Sequence, residues 1–213
     1  MSYAFVYTSD ALKEIEECLS SDRFSTYVHL ANGDKQYAIN LYLKNMNFSE
    51  SLFSILHVVE VVLRNKIHNH FKSKEGEFWY QSNNDFLQES EQMALRETLK
   101  DCSKRNQLKS GDIIAGLRFG FWTALFGRKY EELWRHELRC IFQTDNRPLM
   151  RKQISVMLQD LRKLRNRIAH HECILKMNLL EQYKNSVQLI SWLSPVMASW
   201  IQENNRFKGL IKE

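Results

Sequence analysis

The residues best suited to chemistry lie in one short segment, 164–172, which reads LRNRIAHHE. Within it, Arg165 and Asn166 are followed by His170. A histidine can accept or donate a proton near neutral pH, and an arginine can hold a phosphate and stabilise its developing charge. RNA supplies its own nucleophile, the 2′-hydroxyl. An arginine, a polar residue and a histidine on one helix would therefore suffice for metal-free RNA cleavage, provided that a second such helix or another base completed the site.

The same segment fits a helix whose polar face turns away from the core. At 100° per residue, Asn166 and His170 share a face, and Arg162 lies one turn earlier on it. Ile168, in the apolar stripe, lies about 200° from both. Arg165 lies at the boundary, from which its long side chain can reach towards His170. Such a face needs solvent, a ligand or a partner subunit, although a polar face that merely pairs with other helices stays open.

Positive charge is concentrated around this motif. The chain has 30 Lys and Arg against 25 Asp and Glu, a formal net charge of +5. Between Arg147 and His170 the sole acid is Asp160, so the basic excess of this segment exceeds that of the whole chain. A basic patch attracts nucleic acid without reading its sequence. Five side chains here are the candidate RNA-binding residues: Arg151, Lys152, Arg162, Lys163 and Arg167.

Composition favours a helical fold. The chain has 213 residues, of which 44% are hydrophobic and 26% charged, a balance typical of a globular protein. It contains 7 Gly and 2 Pro, too few for the tight turns of a sandwich or barrel. No repeat or Pro/Gly/Ser linker divides it. We therefore predict a single all-α domain, a helical bundle over residues 1–213.

Other sequence signals concern compartment and cofactors. No uncharged apolar stretch of about 18 residues exists, and the N-terminus lacks the pattern of a signal peptide. These features predict a cytoplasmic protein without membrane contact. No CxxC pair or standard ligand spacing appears, so neither a metal nor another cofactor is expected. The cysteines are far apart and indicate no disulfide framework: Cys18, Cys102, Cys140 and Cys173.

Periodicity and capping residues predict the individual helices. Two loops are expected over residues 72–85 and 106–112, with two shorter helices between 113 and 142. Pro195 either kinks the last helix or begins a new segment capped by Ser194. The main predicted helices are Ser9–Leu19 with Thr8 or Ser9 as cap, Gln36–Lys44, a central helix from Ser49 to Phe71, Gln88–Ser103, Pro148–His170 and Leu175–Glu203.

Aromatic residues are dense between Phe119 and Trp134. At helical spacing they are expected to pack in the core and at a dimer interface. The alternative is that they stack on bases.

Further polar residues support the motif in this interpretation. Glu60, Arg64 and His68 are spaced by four on the central helix, which fits a partly buried ion pair with a hydrogen-bonded histidine. The functional alternative is that they hold the motif helix in place. His171 is a possible second base, but an auxiliary or capping role near the helix end is favoured. His68 and His70 point to different faces, which argues against a metal site.

Arg165 to His170 resembles the R-x4-H motif of the HEPN superfamily, with the polar residue that often follows the arginine. More of the chain resembles the Abi-like (abortive infection) branch of that superfamily. The similar pieces keep the order and spacing of that family and span most of residues 35–173. They are Leu41-Tyr42 with Asn45, VEVVLRN at 59–65, FGFW at 119–122 and LRNRIAHHE at 164–172.

This resemblance implies a HEPN-type bundle, usually a homodimer in which two R-x4-H helices face each other and form one composite site. It implies that Arg165 and His170 are catalytic and that Asn166 orients or hydrogen-bonds. The implied reaction is metal-independent attack by the 2′-hydroxyl of RNA. The implied role is phage defence or toxin action, with RNA, a second copy and an RNA or protein antitoxin as partners.

Two alternatives of other classes stay open. One is a catalytically silent helical module that binds RNA or a protein antitoxin. The other is an interaction protein whose basic face binds a different acidic partner. An active enzyme needs two His170 side chains, or one His170 and another base, converging in a basic cleft. A binding module needs only the charge.

Overall fold

The computed structural model describes residues 5–81, 85–103, 109–144 and 148–212. Over these residues the protein is all-helical and forms one domain, as predicted. Three short 3-10 helices, Trp79–Gln81, Arg128–Tyr130 and Leu138–Ile141, join some of the longer elements. The α-helices are α1 (Ser9–Leu19), α2 (Ser21–Leu30), α3 (Lys35–Glu75), α4 (Glu89–Cys102), α5 (Ser110–Gly116), α6 (Phe119–Ala124), α7 (Glu131–His136), α8 (Arg151–Ala169), α9 (Leu179–Leu193), α10 (Pro195–Asn204) and α11 (Phe207–Leu210).

The central element is α3, which spans about 60 Å at the usual helical rise. It packs against α2, α6, α8, α9 and α11. The predicted break between two helices, with Ser49 as a cap, was wrong because the helix continues through it. Asn45 and Phe48 in that stretch are buried, and the Asn45 side chain bonds to another segment rather than to its own backbone. An asparagine occupied in this way does not compete with the helix.

The N-terminal helices include one that the sequence analysis missed. The bounds of α1 match the prediction, and Thr8 Oγ1 accepts the cap bond from the Ala11 amide at 3.2 Å. The missed helix, α2, has a short apolar face, since Phe24 and Tyr27 are its buried side chains. These two side chains form a second core cluster with Ala38 at the start of α3. With two buried aromatic residues, the apolar repeat of α2 is too short for the helix to be recognised from sequence.

The last helices correct two predicted boundaries. Helix α8 begins at Arg151, three residues after Pro148, and it ends at Ala169, so that His170 is its C-cap. The long C-terminal helix is divided into α9 and α10. The new segment at Pro195 is confirmed, because Ser194 caps it by accepting a bond from the Met197 amide at 3.4 Å.

The middle of the chain is more divided than predicted. Residues 113–142 contain parts or all of α5, α6 and α7 and two 3-10 helices. The predicted loop over 72–85 is partly helical, since α3 runs to Glu75 and Trp79–Gln81 forms a 3-10 turn. Helix α5 begins inside the predicted loop over 106–112. Residues 82–84 and 106–108 of those predictions lie outside the described part of the chain.

The aromatic run between α6 and α7 lies in the main core, which confirms the predicted core packing, while its contact with a second copy stays a prediction. Trp122 and Phe126 are fully buried. The Trp134 ring packs within 6.2 Å of the Phe126 ring and 5.6 Å of the Phe142 ring, between ring centroids. Rings packed against each other in this way are not free to stack on bases.

One feature of α3 bears on location. An 18-residue window of this helix has a mean hydropathy of 1.3, apolar enough by length and composition to cross a membrane, and half of that window is buried inside the protein. A core helix of a soluble protein passes the same test, and the buried residues of α3 fit that explanation. The cytoplasmic location stays a prediction.

His68 in α3 has a structural hydrogen bond. The indole Nε1 of Trp79 donates to His68 Nδ1 at 3.0 Å, and burial lowers the pKa of His68 below its ordinary value of 6.5. A depressed folded-state pKa means that the unfolded chain takes up the proton first, so stability should fall as the pH drops below about 6.5. We expect His68→Gln, which keeps a neutral acceptor, to flatten this part of the stability profile in urea unfolding between pH 5 and pH 7. An unchanged slope would contradict the assignment.

Candidate functional site

The predicted motif lies at the C-terminal end of α8, which closes in a Schellman motif. The Glu172 amide donates to the Arg167 carbonyl at 2.9 Å, and the His171 amide donates to the Ile168 carbonyl at 3.0 Å. His171 has a φ of 57°, in the left-handed region where glycine is usual. The position of His171 therefore has a clear capping role, in line with the favoured sequence interpretation.

Replacing His171 should separate its capping role from a chemical one. We expect His171→Gly to raise the free energy of unfolding by about 0.5–1 kcal/mol, because glycine adopts this φ without strain. The matched control is His171→Ala, which loses the same imidazole but retains a Cβ and should not gain stability. Urea unfolding measures both variants. If the two variants lose RNA cleavage equally, His171 has a chemical role beyond the cap.

The end of the motif is anchored to the central helix by one buried asparagine. Asn45 Oδ1 accepts a bond from the Ile174 amide at 2.8 Å, and Asn45 Nδ2 donates to the Glu172 carbonyl at 3.4 Å. From the motif side, Arg167 Nη1 donates to the Cys173 carbonyl at 3.5 Å. These bonds hold the chain directly after His170 against α3. Asn45 belongs to the similar pieces of sequence, but its spacing gave no indication of this role.

A groove of about 570 Å³ runs beside the motif helix. Arg162, Arg165 and Asn166 line it from α8, and residues 115–120 line it from the α5–α6 connection. Arg118 is exposed in that connection and contributes a cation that the sequence analysis missed. The signal in the sequence is the place of Arg118 directly before the FGFW piece, whose aromatic residues indicate packing and draw attention away from the arginine.

One acid compensates part of this positive charge. Glu60 Oε2 of α3 lies 3.9 Å from Arg165 Nε, so Glu60 pairs with the motif arginine rather than with Arg64, the partner that its spacing suggested. Glu60 also lines the groove. Three arginines against one carboxylate leave the groove positive, which suits a phosphate.

Arg64 lies beside a smaller hollow of about 180 Å³ that it shares with Arg165 and Glu60. Its Nε is buried without a hydrogen-bond partner in the described chain. A buried donor without a hydrogen-bond partner lowers the stability of the fold. The contribution of Arg64 to stability therefore depends on what packs against this hollow. The proposed support of the motif by Arg64 stays a prediction, whereas His68 is occupied by Trp79.

Within one chain, Arg165 and His170 are not on the same side of α8. Five residues place them roughly 140° apart around the helix. Arg165 turns towards Glu60, and His170 is exposed at the helix end. The Arg165 side chain lies beside Glu60 in this structure, so its reach towards His170 stays a prediction.

The candidate RNA-binding residues differ in how free their charges are. Arg162 and Lys152 are exposed, and Lys163 is exposed beside Asp160 at 3.2 Å. Arg167 faces Glu172 at 3.9 Å.

The Arg151 side chain is 11% exposed and acts as a packing residue. Its Nε donates to Glu131 Oε2 at 2.6 Å, and its Nη1 donates to the Phe126 carbonyl at 2.7 Å. The Arg151–Glu131 hydrogen bond also lowers the pKa of the Glu131 carboxyl. With its charge compensated in this way, Arg151 is poorly placed to bind a phosphate.

The described residues contain no group of three or more His, Cys, Asp or Glu side chains arranged to hold a metal ion. Two of the histidines considered above have other partners, Trp79 for His68 and Glu137 for His70.

The site lies on an all-helical bundle, with a polar helix end held at the surface and a basic groove beside it. The Abi-like protein family matches residues 6–176, and the chain belongs to this family. The match extends the resemblance over α1 and α2 as well. Membership points to abortive infection, a defence role. No curated protein and no solved structure matches the chain.

Proposed function

We propose that this protein is a metal-independent endoribonuclease of the HEPN type that acts in abortive infection or as a toxin. The observation that carries the proposal is the motif end of α8, where His170 is exposed and Asn45 fixes the chain that follows it. The positive groove beside it supplies a path for a phosphate backbone. Family membership supports the defence role.

The chemistry follows from these side chains. His170 takes the proton from the 2′-hydroxyl, and the 2′-oxygen attacks the adjacent phosphorus. Arg165 stabilises the charge that develops on the phosphate oxygens. The bond to the 5′-oxygen breaks, and an acid, the second His170 of a dimer, protonates the leaving oxygen. The products carry a 2′,3′-cyclic phosphate and a 5′-hydroxyl.

A second copy of the chain belongs to this proposal. The separation of Arg165 and His170 around α8 supports a composite site in which two motif helices face each other. The exposed residues Arg162, Asn166 and His170 leave that face of α8 available for such pairing. The proposed location is the cytoplasm, where the protein would encounter its RNA substrate and an RNA or protein antitoxin.

Cleavage of a mixed RNA pool in EDTA tests the proposed function. The wild type should produce cyclic-phosphate ends, and the Arg165→Ala/His170→Ala double variant should not. Circular dichroism checks that both are folded, and sedimentation reports the oligomeric state. Metal-dependent cutting, or cutting by the double variant at the normal rate, would overturn the assignment.

Arg118 should contribute to RNA binding through the groove. We expect Arg118→Ala to weaken binding of single-stranded RNA and to reduce the slope of log affinity against log salt by about 0.7, the value for one phosphate contact. Arg139→Ala, which removes an exposed arginine outside the groove, is the matched control. Fluorescence anisotropy over a salt series measures both. An unchanged slope in Arg118→Ala would remove it from the binding surface.

The second candidate function is a catalytically silent module that binds RNA. The observation in its favour is the Glu60 contact, which already occupies the motif arginine in a single chain. This candidate predicts salt-sensitive RNA binding without cleavage by wild type. In that case the double variant would lose binding and no cyclic-phosphate ends would form.

A further inference from the structure

A second cluster of reactive side chains lies where the end of α3 meets the end of α7. His70 Nε2 lies 2.7 Å from Glu137 Oε2, and Cys140 Sγ lies 3.4 Å from His70 Nδ1. Lys74 Nζ donates to the same carboxylate at 2.6 Å. The order is thiol, imidazole, carboxylate, with an ammonium group on the far side of the carboxylate. This cluster is separate from the groove, whose lining includes none of these residues.

The contacts define the proton arrangement. Because Glu137 is an acceptor, the His70 proton lies on Nε2, which leaves Nδ1 free to accept a proton from the thiol. Burial would raise the pKa of Glu137, but its hydrogen bonds to Lys74 and His70 overcome this effect and hold the pKa below its usual value. Glu137 is thus kept ionised and fixes the imidazole. Cys140 Sγ also lies 3.0 Å from the Glu137 carbonyl oxygen, a second acceptor for the thiol proton.

A nucleophile beside a base that is itself oriented by a third group is the arrangement that activates thiols. The Cys140 thiol lies beside an imidazole nitrogen that can accept its proton, and Glu137 lies on the opposite side of that imidazole. Access is also provided, since Cys140 is exposed while the His70 side chain is 13% exposed. The other cysteines lack one of these features. Cys102 is buried and Cys173 is half-buried, whereas Cys18 is exposed on α1 and has no histidine contact among the described residues.

We propose that Cys140 is an activated thiol and the preferred site of modification by hydroperoxides and other small electrophiles. The Cys140 thiolate attacks the distal oxygen of R–O–O–H, an S–O bond forms and the O–O bond breaks. Sulfur is oxidised by two electrons to a sulfenic acid, and the peroxide is reduced to an alcohol or to water. The leaving oxygen takes its proton from the His70 imidazolium. The inference is independent of the ribonuclease proposal.

The wild-type protein supplies its own control, because Cys18 is also exposed. Full-length protein is treated with limiting iodoacetamide, and peptide mass spectrometry follows the modification of each cysteine. We expect Cys140 to react at least about tenfold faster than Cys18 at neutral pH. Dilute hydrogen peroxide followed by dimedone should label Cys140 first. Equal rates at Cys140 and Cys18 would overturn the proposal.

Two variants test whether the neighbours cause this reactivity. His70→Asn and Glu137→Gln should each bring Cys140 close to the rate of Cys18, while the rate of Cys18 itself stays the same. Glu137→Gln keeps the shape of the side chain, so it remains informative if His70→Asn fails to fold. Fast labelling of Cys140 that persists in folded Glu137→Gln and His70→Asn would show that exposure alone is the cause, and would refute the triad.

Discussion

His170→Ala is expected to lower the rate of RNA cleavage by about 10²–10⁴-fold, while the affinity for RNA stays nearly unchanged. In the proposed mechanism His170 transfers protons and does not hold the phosphate, and it lies at the exposed end of α8, apart from the cations that line the groove. Single-turnover cleavage with excess enzyme measures the rate, and anisotropy at the same salt concentration measures affinity. His136→Ala, which removes an exposed histidine from α7, is the matched control and should cleave normally.

Arg165→Ala should differ from His170→Ala by losing both affinity for RNA and cleavage rate, since a guanidinium binds the phosphate in the ground state and in the transition state.

Glu60→Gln tests the partner of this arginine. It removes the ion pair at 3.9 Å and should raise RNA affinity if Glu60 competes with phosphate for Arg165. A His170→Ala protein that binds RNA weakly and cuts the bound fraction at the normal rate would contradict the division of roles.

The fold class and the position of the motif were accessible from the sequence because they depend on local signals. Few glycines and prolines predicted an all-α chain, and the apolar stripe that contains Ile168 predicted α8 and its outward face. The continuity of α3 was not accessible. Asn45 lies in the stretch where a break was predicted, and its side chain bonds to residues more than a hundred positions away. A polar residue in such a stretch favours a break unless its distant partner is known.

The candidate site shows the same division between local and distant information. The spacing of Arg165, Asn166 and His170 was visible, but their partners were not. Arg118 reaches the groove through the α5–α6 connection, and Glu60 reaches it from α3. Arg151 looked like one more basic residue, yet it lies against Glu131 and the Phe126 carbonyl. Charge counts along a chain do not distinguish a free cation from a compensated one.

Asn45→Ala is expected to lower the free energy of unfolding by about 2–4 kcal/mol and to reduce RNA cleavage even where the protein is fully folded. Asn45 is buried, and its loss leaves the Ile174 amide without its acceptor and the Glu172 carbonyl without its donor. An unsatisfied buried group costs about 1–3 kcal/mol, and the vacated space adds to that cost. Urea unfolding measures the stability, and single-turnover cleavage at low temperature measures the activity of the folded fraction.

The matched control is Asn65→Ala, an exposed asparagine on the same helix, which should change stability by less than about 0.5 kcal/mol. Comparing the two variants separates a loss of stability from a loss of the alignment of His170. If the bonds of Asn45 hold His170 in register for a composite site, cleavage by folded Asn45→Ala falls while RNA affinity, which depends on the groove arginines, is kept. A folded Asn45→Ala protein that cuts at the wild-type rate would mean that the segment after α8 finds its position without this anchor.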